Sequence, residues 1–112
     1  KPIANNQAVQ FMLSEMAIII YQMESIVYRT AQDYDDKQPI STQSAIVQYV
    51  CSEGLDKVVD LAVQVHGAMG YSKEHCIERY YRDSRINRIF EGTNEIQKGI
   101  IAHDILKKNG AL

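Results

Sequence analysis

The stretch VQFMLSEMAIIIYQMESIV, from Val9 to Val27, decides the fold of this chain. Its apolar residues recur at alternating steps of three and four, the spacing that places side chains on one face of an α-helix. The residues that follow this spacing are Val9, Met12, Met16, Ile19, Met23 and Ile26. A second apolar stripe consists of Leu13, Ala17, Ile20 and Val27. We therefore predict a long amphipathic helix that is contacted from two sides, by its own bundle and by another subunit.

A polar break separates this helix from a second one. The segment DYDDKQPIS, residues 33–41, combines acidic residues with Pro39 and leaves Ser41 or Thr42 to cap the next helix. Helical spacing then resumes through Val47, Cys51, Gly54, Val58, Leu61 and Val65. A glycine inside a helix costs about 1 kcal/mol relative to alanine. We expect Gly54 to mark a place where two helices approach each other closely.

The second half of the chain is also helical in pattern. His66 and Gly67 are expected to end the second helix, a short helix is predicted in IERYYRDSRI, residues 77–86, and a last helix begins near Asn94. No segment shows the apolar-polar alternation of a strand. Short loops between long helices predict an all-α fold, an up-and-down four-helix bundle.

Length and charge restrict the class of protein. The chain amounts to one domain, residues 1–112, for which we expect one compact core. It begins with Lys1 rather than methionine and enters a helical pattern at once, so we expect a fragment of a longer protein. The formal net charge is −2 with both signs interspersed, which argues against a nucleic-acid partner. The longest apolar run, residues 17–20 within MAIIIY, is far shorter than the roughly 20 residues of a membrane span.

Cysteine and histidine spacing indicates neither a disulfide framework nor a metal site. Cys51 and Cys76 lie far apart in the sequence and form no Cys-x-x-Cys pair. The three histidines, His66, His75 and His103, share no spacing typical of metal ligands on a helix. This cysteine usage fits a reducing compartment.

Two segments leave a structural and a functional interpretation open. QVHGAMGY, residues 64–71, could bring backbone N–H groups to a phosphate, but a dinucleotide fingerprint follows a strand and opens a helix. Gly67 instead follows a helix, where it is typical of the residue after the C-terminus. The second segment is the charged run that contains Arg79, Arg82, Asp83, Arg85 and Arg88. It is either a solvated helix face with local ion pairs or an anion-binding surface.

IFEGTNEIQ, residues 89–97, contains the candidate for catalysis. Glu91 follows the apolar pair Ile89 and Phe90 and precedes Gly92, a residue type that lets backbone approach a ligand closely. Most lone glutamates are solvated surface residues. From these residues alone, both interpretations of Glu91 stay open.

Motifs across nearly the whole chain resemble the C-terminal domain of the acyl-CoA dehydrogenases. These motifs are Lys1-Pro2-Ile3 with Gln7-Ala8-Val9-Gln10-Phe11, Gln64-x-x-Gly67-x-x-Gly70-Tyr71, Glu78-Arg79-x-x-Arg82-Asp83-Ser84-Arg85-Ile86, and Ile89-Phe90-Glu91-Gly92-Thr93-Asn94-Glu95-Ile96-Gln97. The resemblance implies an FAD-dependent oxidoreductase of fatty acid β-oxidation that converts an acyl-CoA thioester to trans-2-enoyl-CoA.

The resemblance assigns the chemistry to two adjacent residues. Glu91 matches the base that removes the pro-R α-proton while a hydride leaves the β-carbon for flavin N5. A carboxylate with its ordinary pKa of about 4.3 is a weak base for a carbon acid, and an apolar site that excludes water raises that pKa. Ile89 and Phe90 suit such a site. Gly92 matches the residue whose backbone N–H donates to the thioester carbonyl, as in an oxyanion hole.

The resemblance also assigns cofactor contacts. Thr93, Asn94 and Glu95 match positions that contact the flavin, and Asn94 with Gln97 is expected to form a capping box at the last helix. Other positions match residues that reach the adenine-diphosphate part of the flavin of a neighbouring subunit. They are Gln7, Gln64, Val65, His66, Gly67 and Ala68.

As partners, the resemblance implies an acyl-CoA substrate, an electron-transfer flavoprotein as acceptor, and a homodimer or homotetramer. A bacterial cytoplasm or a mitochondrial matrix would both fit. The isolated fragment is expected to be inactive. Two other functions stay open: an acyl-CoA oxidase that passes electrons to oxygen, and a helical assembly module that retains the motif without using it.

Overall fold

The structure, a computed structural model, describes residues 1–112 and contains only helices, turns and loops. The α-helices are α1 (Gln7–Asp35), α2 (Ser41–His66), α3 (Ala68–Tyr71), α4 (Ile77–Ser84) and α5 (Asn94–Lys108). Short 3₁₀ helices span Ile3–Asn5 and Arg85–Arg88. The predicted all-α class is confirmed, with α3 a single turn beside the four longer helices. The short helix predicted in residues 77–86 and the start of the last helix at Asn94 are confirmed as well.

The second helix, α2, is the centre of the fold, because α1, α4 and α5 all pack against it. α1 and α2 run antiparallel: Glu15 pairs with Lys57 at 2.7 Å, and Met23 lies at the level of Gly54. A Cβ atom on Gly54 would lie 2.8 Å from the Met23 sulfur and 3.1 Å from a methyl group of Ile19. Gly54 therefore marks a close helix approach, as its position in the sequence predicts.

The two apolar stripes of α1 have different environments. The first stripe is partly buried along its whole length, Val9 to Ile26, and Met23 and Ile19 show that it faces α2. The second stripe is exposed, with Leu13, Ile20 and Val27 each 40–42% accessible. One of the two contacts predicted for α1 is therefore made within the chain, and the other face has no partner in it.

The buried core of the chain is small. Only 7 of the 112 residues are buried, and Ala45 and Val59 are the apolar side chains among them. The radius of gyration is 17.5 Å, against about 13 Å for a compact domain of this length. The expectation of one compact core is wrong, because the helices line up along α2 in a body of 58 × 26 × 25 Å and do not enclose an interior. Many large apolar side chains are left for contacts outside the chain.

The C-terminus of α2 lies where the sequence predicts it, whereas the N-terminus does not have the predicted cap. Gly67 follows the helix with a φ of 62°, and its N–H donates to the carbonyls of Val63 and Gln64. This confirms its interpretation as the residue after the helix C-terminus. The predicted cap at Ser41 or Thr42 is wrong, because both residues are already helical and Ile40 occupies the cap position without a side-chain bond.

By length and composition alone, α1 could cross a membrane, with a mean hydropathy of 1.2 in its most apolar window. The core helix of a soluble protein and a signal sequence pass the same test. One face of α1 packs on α2, and Glu15 on that helix forms an ion pair with Lys57.

Candidate active site

The turn between the 3₁₀ helix Arg85–Arg88 and α5 holds the candidate base. Glu91 has a φ of 57° and Gly92 a φ of 89°, so two consecutive residues adopt left-handed backbone. Glycine does so freely, whereas this conformation costs a residue with a Cβ about 1–2 kcal/mol. Strained backbone of this kind clusters at functional sites. The N–H of Gly92 donates to no group of this chain, so it is free to bind a ligand.

The start of α5 is fixed by Thr93 and not by the predicted capping box. The Thr93 hydroxyl accepts a hydrogen bond from the N–H of Ile96 at 3.3 Å, which makes Thr93 the N-cap residue. The box predicted for Asn94 and Gln97 is wrong, because Asn94 is already the first helical residue. The side chain of Gln97 instead donates to the carbonyls of Glu91 and Gly92, at 3.4 and 3.3 Å.

Asn94 ties the turn to α2. Its side chain is buried, and its amide nitrogen donates to the Ser52 hydroxyl and to the Glu53 carboxylate, both at 3.0 Å. A buried amide needs such partners because an unsatisfied polar group costs roughly 1–3 kcal/mol. The Asn94 side chain therefore points into the bundle, whereas Thr93 is partly exposed and Glu95 is exposed at the helix N-terminus.

Arg88 makes a second tie to α2. Its Nη1 donates to Asp56 at 3.2 Å, and its Nε lies 3.1 Å from the Glu53 carboxylate without the alignment of a hydrogen bond. The hydrogen bond to Asp56 raises the pKa of the Arg88 guanidinium. Arg82 pairs with Glu78 one turn away on α4 and is exposed. The solvated-face interpretation of this charged run holds for Arg82, while Arg88 is a structural contact.

Sequence analysis missed the residues of α2 that support the turn. Ser52, Glu53 and Asp56 contact Asn94 and Arg88 as described, and Gln48 donates to the Asn87 carbonyl at 2.8 Å. Gln48, Ser52 and Asp56 recur every four residues, which makes a polar stripe on an otherwise apolar helix. That stripe is the signal from which they could have been found.

Glu91 itself is exposed in this chain, as are its neighbours Ile89 and Phe90, which are 50% and 46% accessible. The apolar surroundings expected for the base are therefore not enclosed by this chain alone. The principal clefts lie elsewhere. One of about 720 Å³ opens between the end of α2 and α4, lined in part by Tyr71 and Arg82, and Glu91 does not line it.

The candidate cofactor residues fall into two groups. The antiparallel pairing of Glu15 with Lys57 places Gln7, eight residues earlier, beside the end of α2, where residues 64–68 lie. Thr93–Glu95 instead lie beside Ser52, because Asn94 contacts it. Ser52 and Gln64 are twelve residues apart on α2, a separation of about 18 Å at 1.5 Å per residue. By this helix register, Gln7 lies at the same end of the molecule as residues 64–68, apart from Thr93–Glu95.

The first group suits a polar dinucleotide such as FAD. Gln7 and Gln64 are exposed amides that both donate and accept hydrogen bonds, and Gly67 and Ala68 are exposed beside them. Nothing lies within 4 Å of the position of a Cβ on Gly67, so a ligand could approach its backbone. Val65 is half-buried. Nδ1 of His66 lies 2.7 Å from the Ala62 carbonyl. No three His, Cys, Asp or Glu side chains cluster in a way that could hold a metal ion.

Comparison with known proteins assigns the family. The family described as "Acyl-CoA dehydrogenase, C-terminal domain" matches residues 1–106. The chain belongs to this family. The resemblance seen in the sequence motifs is thereby confirmed, and with it membership of a group of flavoprotein oxidoreductases.

Curated relatives are similar over almost the whole chain. A probable acyl-CoA dehydrogenase of Bacillus subtilis is 43% identical over 96% of this chain and 21% of its own length. The mitochondrial short-chain specific acyl-CoA dehydrogenase of Bos taurus is 39% identical over 95% of this chain and 26% of its own. Subunit CarC of a caffeyl-CoA reductase-Etf complex of Acetobacterium woodii is 37% identical over 96% and 28%. The chain thus spans about a quarter of the length of the curated relatives that it matches.

Solved structures share the fold. Butyryl-CoA dehydrogenase of Megasphaera elsdenii superposes with a TM-score of 0.92 at 34% identity, over 95% of this chain and 28% of that one. An FAD complex of PigA superposes with a TM-score of 0.87 at 28% identity, over 99% of this chain and 28% of that one. The all-α arrangement along α2 is therefore that of acyl-CoA dehydrogenases.

Proposed function

We propose that this chain supplies the base for FAD-dependent α,β-dehydrogenation of an acyl-CoA thioester to trans-2-enoyl-CoA, and that Glu91 is that base. The observation that carries the proposal is the geometry of the turn before α5. A carboxylate with left-handed backbone directly precedes a glycine whose N–H has no partner in the chain. A base and a free backbone donor are thus adjacent, as removal of a proton next to a carbonyl requires.

Glu91 and Gly92 have complementary roles in this reaction. The carboxylate of Glu91 takes the α-proton of the thioester, and the electron pair of that C–H bond becomes the new double bond as the β-hydrogen leaves as hydride. The N–H of Gly92 donates to the thioester carbonyl and stabilises the negative charge that develops on its oxygen. Removal of one such donor typically lowers a rate by about 10²–10³. FAD, when bound, accepts the hydride.

The same proposal covers the cofactor residues. Thr93, Asn94 and Glu95 hold the flavin near Glu91. Asn94 does so through its backbone, because its side chain contacts α2. Gln7 and residues 64–68 contact the adenine-diphosphate part of the flavin of a neighbouring subunit. The separation of about 18 Å along α2 between Ser52, which Asn94 contacts, and Gln64 supports this division. The exposed apolar stripe of α1 supports it as well and suits a homodimer or homotetramer.

The acceptor and the compartment belong to the proposal as well. An electron-transfer flavoprotein is the proposed electron acceptor, supported by the relative named as part of a reductase-Etf complex. Relatives named as mitochondrial and a Bacillus subtilis relative support a mitochondrial matrix or a bacterial cytoplasm. Because that relative is named as a reductase, a second candidate function is the reverse reaction, reduction of an enoyl-CoA. In that reaction a protonated Glu91 returns a proton to the α-carbon.

Replacement of Glu91 by glutamine in the full-length flavoprotein tests the proposal. The amide keeps the shape of the side chain but cannot accept a proton, so the rate should fall by several orders of magnitude while bound flavin is retained. Flavin bleaching on addition of a series of acyl-CoA thioesters measures this rate. Glu74→Gln, which removes an exposed carboxylate elsewhere in the chain, is the control and should behave as wild type.

The same assay separates the alternatives. Near-normal turnover by Glu91→Gln would exclude Glu91 as the base. Oxygen consumption during acyl-CoA turnover would identify an oxidase, and faster reaction with enoyl-CoA and a reductant would identify a reductase. A full-length protein that binds no flavin and turns over no acyl-CoA would identify the chain as part of a helical assembly module.

A further inference from the structure

Glu53 is the residue of α2 that contacts both ends of the turn that carries Glu91. This turn, residues 89–93, lies between Arg88, the last residue of the second 3₁₀ helix, and Asn94, the first residue of α5. The amide nitrogen of Asn94 donates to Oε1 of Glu53 at 3.0 Å. Nε of Arg88 lies 3.1 Å from the same oxygen. One carboxylate oxygen on α2 therefore holds both ends of the turn.

The other partners that α2 offers to Arg88 and Asn94 each contact one end of the turn only. The hydroxyl of Ser52 accepts from Asn94 at 3.0 Å and lies 3.2 Å from its amide oxygen. Asp56 accepts from Nη1 of Arg88 at 3.2 Å. No side chain other than Glu53 forms a hydrogen bond or an ion pair with both ends. The position of one end relative to the other thus depends on Glu53.

Both donors need the Glu53 carboxylate because they are shielded from water. Asn94 is 3% exposed, and its amide nitrogen carries two hydrogens, one for Ser52 and one for Glu53. Nε of Arg88 is buried and has no aligned hydrogen bond, so the charge of Glu53 is its compensation. Without this carboxylate, an N–H of Asn94 and Nε of Arg88 would be buried and unpaired, which is unfavourable enough to turn the side chains away.

The position of the Glu91 carboxylate depends on how the turn is held. No hydrogen bond or ion pair of the chain involves that carboxylate, so the backbone alone places it. Its φ of 57° is one that a residue with a Cβ keeps only where the surrounding structure determines it. Gln97 donates to two carbonyls of the turn, but it belongs to α5 and moves with it. Glu53 instead fixes the turn to α2, the helix on which α1, α4 and α5 pack.

We propose that Glu53 is a positioning residue for proton abstraction by Glu91. Its carboxylate fixes both ends of the turn relative to α2 and so sets where the base lies, and it acts through Arg88 and Asn94 without touching substrate. A reacting group misplaced by about 1 Å can lose roughly 10²-fold in rate. This inference rests on the proposed role of Glu91 as the base. It places a determinant of the rate on α2, behind the turn.

The test uses the full-length flavoprotein with Glu53→Met, which keeps the length of the side chain and removes the acceptor for both ends. Glu53→Gln is the conservative variant, because it loses the charge but keeps an oxygen that can accept from Asn94. Glu15→Met is the matched control. Glu15 also forms an ion pair with a neighbouring helix, through Lys57 of α2 at 2.7 Å, and it makes no contact with the turn.

Two measurements report on the turn and on the reaction. Hydrogen exchange of the peptide spanning residues 89–97, followed by mass spectrometry without substrate, reports on the hydrogen-bonded N–H groups of Ile89, Phe90 and Gln97. Single-turnover bleaching of the flavin gives the maximal rate and the half-saturating concentration of the acyl-CoA that wild type turns over fastest.

We expect Glu53→Met to keep flavin, to exchange about tenfold faster in this peptide, and to lose about 10- to 100-fold in maximal rate. The half-saturating concentration should change less than about threefold, since a misplaced base affects the chemical step and not binding. Glu53→Gln should lose about three- to tenfold in rate, between wild type and Glu53→Met. Glu15→Met should match wild type in both measurements.

Several results would overturn the inference. They are a Glu53→Met rate within twofold of wild type, a weaker substrate affinity at an unchanged rate, or equal losses in Glu53→Met and Glu15→Met. If Glu53→Met does not fold or loses flavin, Glu53→Gln decides, and a rate within twofold of wild type in that variant overturns the inference.

The proposed function is tested separately by Glu91→Gln. If that variant is inactive while Glu53→Met is normal in rate and exchange, Glu91 remains the base and Glu53 has no positioning role. If Glu91→Gln is active while exchange rises in Glu53→Met, the proposed function fails and Glu53 only stabilises the turn.

Discussion

Glu91 combines a functional side chain with an unfavourable backbone. Its φ of 57° is one that glycine adopts freely and that a residue with a Cβ adopts at a cost of about 1–2 kcal/mol. If Glu91 is retained for its carboxylate, the position trades stability for chemistry. A substitution that removes the Cβ should recover part of that stability.

We predict that Glu91→Gly is more stable than Glu91→Ala by about 0.5–1 kcal/mol. Both variants lose the carboxylate, but only glycine relieves the strain, and its greater freedom in the unfolded chain offsets part of the gain. Urea unfolding of the two full-length variants, followed by circular dichroism, measures the difference. An alanine variant as stable as the glycine variant would show that the turn stores no strain at this residue.

At the scale of single residues, the sequence indicates candidate site residues more readily than it indicates their contacts. Glu91 and Gly92 could be singled out because a carboxylate and a glycine follow an apolar pair. The partners of Asn94 and Gln97 could not, since they depend on where α2 lies relative to α5. The capping box failed for the same reason: Thr93, Asn94 and Gln97 all have side chains suited to a helix start, and tertiary contacts decide which one caps it.

The helices illustrate how far periodicity alone carries a prediction. Steps of three and four locate α1 and α2, and the contact of Gly54 with Met23 confirms a close approach that was expected from one glycine in an apolar stripe. α5 contains another glycine, Gly99, which is exposed and has no atom within 4 Å of its Cβ position. The two glycines make a matched pair, because only one of them lies at a helix contact.

Alanine substitution should therefore have opposite effects at the two positions. Gly99→Ala should stabilise the fold by about 0.5–1 kcal/mol through helix propensity alone. Gly54→Ala gains the same propensity but places a Cβ 2.8 Å from the Met23 sulfur, so α1 must shift. We expect it to be less stable than Gly99→Ala by at least about 1 kcal/mol, a typical effect of overpacking. Comparison of urea midpoints gives the difference, and equal gains at both positions would contradict the close approach.

The whole molecule shows what periodicity does not predict. An apolar stripe indicates that a helix face is covered, but it does not say whether the cover lies in the same chain. The stripe of α1 with Leu13, Ile20 and Val27 is exposed in this chain, and few of its residues are buried. The chain spans about a quarter of the length of the curated relatives that it matches.

The candidate cofactor residues form two groups that lie at different positions along the length of the molecule. About 18 Å of α2 separates Gln64 from Ser52, the residue that Asn94 contacts. If residues 64–68 reach the flavin of a neighbouring subunit, one active site needs Glu91 from one chain and this loop from the other. Ala68 is the position at which to block the loop, because it is exposed and lacks the left-handed φ of 62° that a substitution at Gly67 would disturb.

We predict that two inactive variants restore activity when they share a dimer. One full-length subunit carries Glu91→Gln and its partner Ala68→Trp, whose bulk blocks the approach of the loop to flavin. In the mixed dimer, the site with an intact Glu91 receives an unmodified loop from the other subunit, while the second site collects both lesions. About half of the wild-type activity per dimer should return, by this two-fold geometry. Ala68→Ser, which adds no bulk, is the control and should be active alone. If the purified mixed dimer stays as inactive as its parents, although Ala68→Trp folds normally, the loop serves its own subunit and no shared site exists.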